Sequence, residues 1–511
     1  MKKIYRLLYS NKFVAMVMLL MQIITFVAMY IWISDYSKVL FGLSTVLSAV
    51  LIIFEINRTE ESTFKMTWIT LIAIIPIFGA LFYLFTRAQG VSMNIGDDYK
   101  NIQEANKKYL VQDEAVMKNI YQTDKNQDGF ARYLSKYGGS PAYTNTGVQY
   151  YSIGERMFED MKKELLKAEK FIFLEFFIIN HTSRMWNEIL EILKKKVKQG
   201  VEVRVMYDGM GCIVTLPRKY NEYLERHGIK CRIFSPIVPL LSTHQNNRDH
   251  RKIMVIDGAT AFCGGINISD EYINEKMRFG HWKDTGFMLR GEAVAGFTAM
   301  FLEMWNVNDE HIEDCGEYIQ ASKKYSVSTD GFVIPFGDTP LDEVYVGKRA
   351  YINNLNNASE YTYIMTPYLV IDDEMYECMK YAAQRGVDVK IIMPHIPDKK
   401  YAFYLARTYY KELLKAGIEI YEYTPGFVHA KMSISDGKKA IVGTVNHDYR
   451  SLYLHYECAA YMLNVSAVMG IERDFKDTLE LSQKITLEDV KHFNVFTKIL
   501  GHIIRLVAPL L

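Results

Sequence analysis

Charge imbalance is what this chain has least of. Its 511 residues carry 60 lysines and arginines against 59 aspartates and glutamates, a formal net charge of +1. No global field therefore draws in a polyanion, which counts against a nucleic-acid-binding protein. Cysteine is sparse too. The six (Cys212, Cys231, Cys263, Cys315, Cys378, Cys458) are scattered, with no CxxC pair and no Cys/His spacing of a zinc site. They read as free, mostly buried thiols and lean toward a reducing compartment for the soluble part. A carboxylate cluster of the kind that holds Mg²⁺ is also missing. Residues 124–129 (DKNQDG) imitate the start of a calcium loop, but its twelfth position is Ser135 where a bidentate glutamate is required. A solvated turn is expected there.

The length allows more than one core. Aromatic residues, at 13%, suit both a large interior and a membrane interface. Three apolar runs lie near the start. Residues 13–33 are uncharged, long enough to cross a bilayer, and preceded by Lys2, Lys3, Arg6 and Lys12. The run is too long for a signal peptide, and no small-residue cleavage site follows it. Residues 39–54 form a shorter run that either crosses or lies re-entrant. Residues 66–85 form a third, containing Pro76 and Gly79, both tolerated in membrane helices. Residues 1–90 are thus expected to be a multi-pass anchor of two or three transmembrane helices in the cell membrane. The basic N-terminus favours a cytoplasmic start. Three spans would put the rest outside and two would keep it inside, so the side of the soluble part stays open.

Residues 91–147 read as a polar helical connector. Beyond them an α/β pattern begins and then repeats. Strand 170–179 (KFIFLEFFII), helix 185–199 and strand 201–207 (VEVRVMY) return as strand 361–365, helix 373–385 and strand 387–393 (VDVKIIM). Strand–helix–strand order predicts parallel pairing. The soluble part is therefore a duplicated unit, 148–312 and 341–483, joined by a polar linker, 313–340. The tail, 484–511, is amphipathic. Phe493, Phe496, Leu500, Ile503, Val507 and Leu510 recur at helical spacing, with Lys491, Lys498 and Arg505 on the other side. It is either a helix docked on its own domain or an interfacial helix on anionic lipid.

Each copy carries the same short pattern. His250-Arg251-Lys252 is followed by four apolar residues and Asp257; His429-Ala430-Lys431 is followed by four residues and Asp436. Gly264, Gly265 and Asn267 follow the first histidine at the offsets of Gly443, Thr444 and Asn446 from the second. On a strand, residues i and i+2 share a face, so an imidazole and an ammonium project side by side. Two such couples suit a two-step displacement. One imidazole attacks an electrophile; the other protonates the leaving group and later deprotonates the acceptor. The lysines supply the positive charge that a phosphoryl centre demands, with no metal and no other cofactor. Each imidazole needs an acceptor on its other nitrogen. Asp284 follows His250 and Glu457 follows His429 as candidates.

These motifs resemble the paired HxKx4D motifs of the phospholipase D superfamily. The flanks RDHRKIMVIDGATAFCGGINISDEY and HWKD, and in the second copy TPYLVIDDEMYECMKYAAQRGVDVKIIMP and PGFVHAKMSISDGKKAIVGTVNHDYRSL, resemble bacterial cardiolipin synthases, as does the N-terminal WITLIAIIPIFGALFYLF. The resemblance runs from about residue 57 and is looser in the first apolar run and the tail. It implies two phospholipase D-like α/β/α sandwich halves related by a pseudo-twofold. It also implies transfer of a phosphatidyl group between two phosphatidylglycerol molecules, giving cardiolipin and glycerol. His250 would be the nucleophile and His429 acid, then base. Lys252, Lys431, Asn267 and Asn446 would hold the phosphate, and Asp284 and Glu457 would orient the histidines. Asp257 and Asp436 complete the catalytic motifs and would support the fold rather than touch substrate. Membrane lipid is the implied partner; nucleic acid is not, and oligomeric state is open. Asp249 stands where the family usually has Asn, Lys283 where it has Arg, and His455 where it has Asn. His455 and His447 put the local pKa and the choice of acceptor in question. A hydrolase, or a synthase using another acceptor such as serine, would share the same groups. A non-catalytic lipid-binding scaffold is the alternative of another class, and two intact motifs argue against it.

Overall fold

The computed structural model describes residues 35–87, 92–236 and 246–510, apart from 308, 310, 311 and 343. The apolar run 13–33 lies outside the described residues. The described chain falls into two compact units. Among the described residues, one holds 35–87, 92–94, 246 and 502–510, the other 95–236 and 247–501.

The first unit holds helices Asp35–Ile56, Ser62–Ile74 and Pro76–Arg87. Residues 66–85, expected as one span, are divided at Ile75, because Pro76 has no N–H to donate and its ring crowds the preceding turn. Gly79 then lies so close to the earlier helix that a Cβ would sit 2.5 Å from the Leu71 carbonyl oxygen. Leu51, Trp68, Ile72, Ala80 and Tyr83 form a small core. Among the described residues no helix is long and apolar enough to cross a membrane. The two pieces of the third run, 13 and 12 residues, rise about 20 and 18 Å, short of a ~30 Å hydrocarbon core.

The second unit is built on two sheets of the same plan. The first runs Thr146–Tyr151, Gly286–Gly291, Thr260–Gly264, Lys252–Ile256, Phe171–Phe176, Glu202–Asp208, Lys230–Phe234. The second runs Phe332–Asp338, His455–Leu463, Lys439–Gly443, Met432–Ser435, Tyr361–Met365, Asp388–Pro394, Glu419–Tyr423, with Ser482–Ile485 added at its edge. Position for position these are the two copies read in the sequence. The strand–helix–strand pairs are parallel, Phe171↔Glu202 in one and Tyr361↔Asp388 in the other. In both, the strand after the His-x-Lys motif lies antiparallel to the first strand of that pair.

The sheets share a core. Phe173, Ile253 and Val255 of the first meet Met432, Ile434 and Val442 of the second in one apolar cluster. Helix Val294–Asn306, buried along its whole length, belongs to it. That explains why its sequence is apolar all round rather than striped. The polar connector contributes as well: Tyr99 and Ile102 are buried in this cluster. The calcium-loop imitation proves to be the start of helix Lys125–Tyr137, with the Asp124 carboxylate accepting the Asn126 N–H. The expected turn is overridden because that carboxylate caps the helix and Phe130, Ala131 and Leu134 bury its inner face. The tail, expected as one helix, is two: Leu487–His492, opened by a capping box from Thr486 and Asp489, and Val495–Leu506. Phe493, at φ −56° and ψ 140°, breaks the run, and the Asn494 side chain caps the second helix.

Candidate active site

The short strand that leads into each histidine pairs with a strand of the opposite copy. Arg248–Asp249 pairs in parallel with the start of His455–Leu463, and the His250 N–H donates to the Tyr456 carbonyl at 3.0 Å. In mirror fashion Gly426–Val428 pairs in parallel with His281–Lys283, and the His429 N–H donates to the Lys283 carbonyl at 2.7 Å. Each histidine thus lies beside the acid of the other copy. His250 Nδ1 is 2.9 Å from Glu457 Oε1, and His429 Nδ1 is 2.7 Å from Asp284 Oδ2. The two acids named from sequence are both present, but they are exchanged between the halves. Nδ1–H donating to a carboxylate leaves the Nε2 lone pair of each imidazole available.

Strand alternation places the neighbours. Lys252 and Lys431 are buried beside their histidines, each ammonium donating one hydrogen bond to its own histidine's carbonyl. Two N–H groups per ammonium remain for a ligand. Arg251, between His250 and Lys252, faces the other way. It is fully buried and donates to the Glu457 and Met300 carbonyls and the Tyr99 hydroxyl. Around the rings stand Phe177 beside His250, and Tyr272, Trp282 and Phe427 beside His429. Trp282 also donates to Asp284.

The motif aspartates stand where they can support the fold. Asp257 and Asp436 each end their strand in a left-handed turn, φ 54° and 53°. Asp257 accepts the backbone N–H groups of Glu169, Lys170 and Phe171; Asp436 accepts those of Ser359, Glu360 and Tyr361. Seven residues of largely extended chain, roughly 20 Å, separate each from its histidine. They tie the start of the central strand to the turn. The two asparagines are not equivalent either. Asn267 accepts the Ile178 N–H and donates to the Tyr272 hydroxyl, which leaves one amide N–H over. The Asn446 Oδ1 is buried without a hydrogen-bond partner.

Gly265 shows how tight the construction is. A Cβ there would lie 2.0 Å from Asp284 Oδ1. Gly265→Ala is expected to push Asp284 off His429 and to lower kcat by about 10²-fold, while leaving the fold's melting temperature nearly unchanged. At the matching position Thr444 instead donates its hydroxyl to Glu457.

The electrostatics favour neutral imidazoles. Burial, then the ammonium groups of Lys252 and Lys431, holds His250 well below its usual range. Burial and Lys431 take His429 down to about 4 against the pull of Asp284. Burial lowers Lys431 to about 7. In the free enzyme that ammonium is lost as pH rises through about 7, so kcat/KM should fall above it. A bound anionic phosphate favours the charged lysine, so the corresponding limb of kcat should lie at higher pH. On the acid side neutral His250 persists, so turnover should survive below pH ~6. Steady-state profiles of wild type and Lys431→Arg check this; the arginine, always charged, removes the basic limb.

Two of the three departures from the family pattern, Lys283 and Asp249, find local reasons. Lys283 is buried and paired with Asp474 at 2.8 Å. Asp249 is fully buried, and burial with Asp208 nearby, opposed by Arg251, pushes its carboxyl up to about 7. A protonated carboxyl there offers the donor that an amide would. His455 lies 5.4 Å from His250, ring to ring. His447 is buried against Tyr351. Sequence reasoning missed Arg251 and the acceptor role of Glu457 toward His250. Alternation of side chains could have found the first; nothing local signals the second.

A duplicated fold bringing two His–Lys couples and two exchanged acids to one place defines a phospholipase D-type protein. The family model described as "Cardiolipin synthase, PLD-like domain" matches residues 161–305 and 351–479, and "Phospholipase_D-nuclease N-terminal" matches 45–87. The chain belongs to the cardiolipin synthase family of the phospholipase D superfamily. An uncharacterized protein of Streptococcus mutans is 48% identical over 90% of this chain and 99% of its own length. A cardiolipin synthase of Alkalihalophilus pseudofirmus is 33% identical over 95% and 97%, and cardiolipin synthase 2 of Bacillus anthracis is 33% identical over 90% and 89%. The fold is shared with a phosphatidylserine synthase of Haemophilus influenzae (TM-score 0.54, 12% identity, 71% of this chain and 93% of that one).

Proposed function

We propose that this protein is a membrane-associated phosphatidyltransferase that joins two phosphatidylglycerol molecules into cardiolipin, releasing glycerol. The observation that carries the reading is the crossed pairing of His250 with Glu457 and His429 with Asp284, which gives two oriented imidazoles beside two buried lysines. The cardiolipin synthase relatives support the lipid class.

In the first step His250 Nε2 attacks the phosphorus of one phosphatidylglycerol. The bond to the headgroup glycerol breaks, and protonated His429 gives its Nε2 proton to the departing oxygen. The phosphate monoanion raises the proton affinity of His429 that burial and Lys431 keep low. Glu457 stabilises the cationic phosphohistidine. In the second step neutral His429 takes the proton of a headgroup hydroxyl on a second phosphatidylglycerol. That oxygen attacks phosphorus and frees His250. Lys252, Lys431 and the amides of Asn267 and Asn446 hold the non-bridging oxygens throughout, doing what a divalent metal does elsewhere. The N-terminal apolar runs attach the enzyme to the bilayer.

The test is incubation of the purified protein with phosphatidylglycerol and analysis of products by mass spectrometry. Cardiolipin with stoichiometric glycerol supports the reading. Phosphatidic acid alone would mean a hydrolase, and no turnover a scaffold.

A further inference from the structure

His455 is an imidazole without employment in the reaction just described. It is buried, neither ring nitrogen has a hydrogen-bond partner among the described residues, and its Nδ1 stands 3.7 Å from Glu457 Oε1. A buried polar group left unpaired is costly, and such a group in a functional cleft asks for a ligand. His250, His455 and Glu457 each present one donor atom, and the three atoms lie within 4.8 Å of one another. Two imidazoles and one carboxylate are the donor set of an open three-ligand zinc site. With bonds of about 2.0–2.2 Å, tetrahedral donors stand roughly 3.3–3.5 Å apart, so the cluster needs only small side-chain shifts.

We infer that His250, His455 and Glu457 form an inhibitory site for a borderline divalent transition ion, Zn²⁺ above all. The inhibition follows from the ring itself. A neutral imidazole has one N–H and one lone pair. In the working state Nδ1 carries the hydrogen toward Glu457 and Nε2 keeps the lone pair. A metal on Nδ1 takes the lone pair there and moves the proton to Nε2. No proton is released, but the atom that attacks phosphorus becomes an N–H and the nucleophile is lost. Zinc occupancy and phosphohistidine formation therefore exclude each other. The nearby lysines weaken the hold on a cation, which makes the ion exchangeable rather than structural. The inhibition arm rests on the proposed role of His250; the binding arm does not.

The full-length protein is titrated with Zn²⁺ and, separately, with Co²⁺, whose visible absorption reports nitrogen ligation. The wild type should bind one ion, lose transferase activity in step, and regain it with a chelator. His455→Asn, which restores the amide usual in the family, should keep its turnover, lose the cobalt spectrum and become at least about tenfold less sensitive to zinc. His455→Gln serves as a second variant should the first not fold. Equal zinc sensitivity of wild type and these variants, or a wild type that holds no ion, would overturn the inference. If both variants lose the metal while the wild type binds it without inhibition, the site stands and the nucleophile assignment falls.

Discussion

His250→Ala is expected to lower cardiolipin formation by at least about 10⁴-fold while the protein still folds. The expectation comes from what the alanine removes: the Nε2 lone pair that, in the proposed mechanism, forms the bond to phosphorus. His429→Ala should behave differently. It removes a proton donor, so its effect depends on how much the leaving oxygen needs a proton. With phosphatidylglycerol, whose glycerol leaves as an alkoxide unless protonated, the loss should be about 10²–10⁴-fold. With a phosphatidyl ester of p-nitrophenol, a group that departs unaided, His429→Ala should still release one burst of nitrophenol per enzyme. His250→Ala should release none. Stopped-flow absorbance distinguishes the two. A burst from His250→Ala, or its absence from His429→Ala, would reverse the assignment.

The second large effect concerns the acids. Glu457→Gln and Asp284→Asn leave each side chain's shape and remove its charge, and each should cost about 10²–10⁴ in turnover. The crossed geometry says which step each one slows. Glu457 lies in the second half but faces His250 of the first, so Glu457→Gln should suppress the nitrophenol burst. Asp284 lies in the first half but faces His429, so Asp284→Asn should preserve the burst and slow turnover. If the acids served the histidines of their own halves, the two phenotypes would be exchanged. The same argument extends to Gly265, whose missing side chain lets Asp284 approach His429.

That exchange is also where the sequence stopped being readable. The duplication, the parallel strand pairs and the His-x-Lys faces could be read directly, because strand periodicity and repeated spacing are local properties. Both acids could be named, since each stands at a plausible distance downstream. Their partners could not, because pairing Arg248–Asp249 with His455–Leu463 spans more than 200 residues and leaves no local mark. Asp257 and Asp436 sit inside the motif, and their carboxylates are spent on backbone N–H groups at the far end of the strand, in keeping with the supporting role the resemblance implied. The DKNQDG stretch read as a turn, but Asp124 caps a helix whose buried face decided the matter. The tail's apolar spacing was visible; the break at Phe493 was not, because a φ/ψ change at a phenylalanine has no sequence signature.

The central claim is that a phosphatidyl group passes through a covalent bond to one histidine of a crossed pair. Acid-stabilised quenching of His429→Ala during turnover of the nitrophenyl ester, followed by peptide mass spectrometry, tests it most directly. The account predicts a phosphatidyl adduct on the peptide carrying His250 and none on the peptide carrying His429. An adduct on His429, or product formation with no adduct on either peptide, would contradict it.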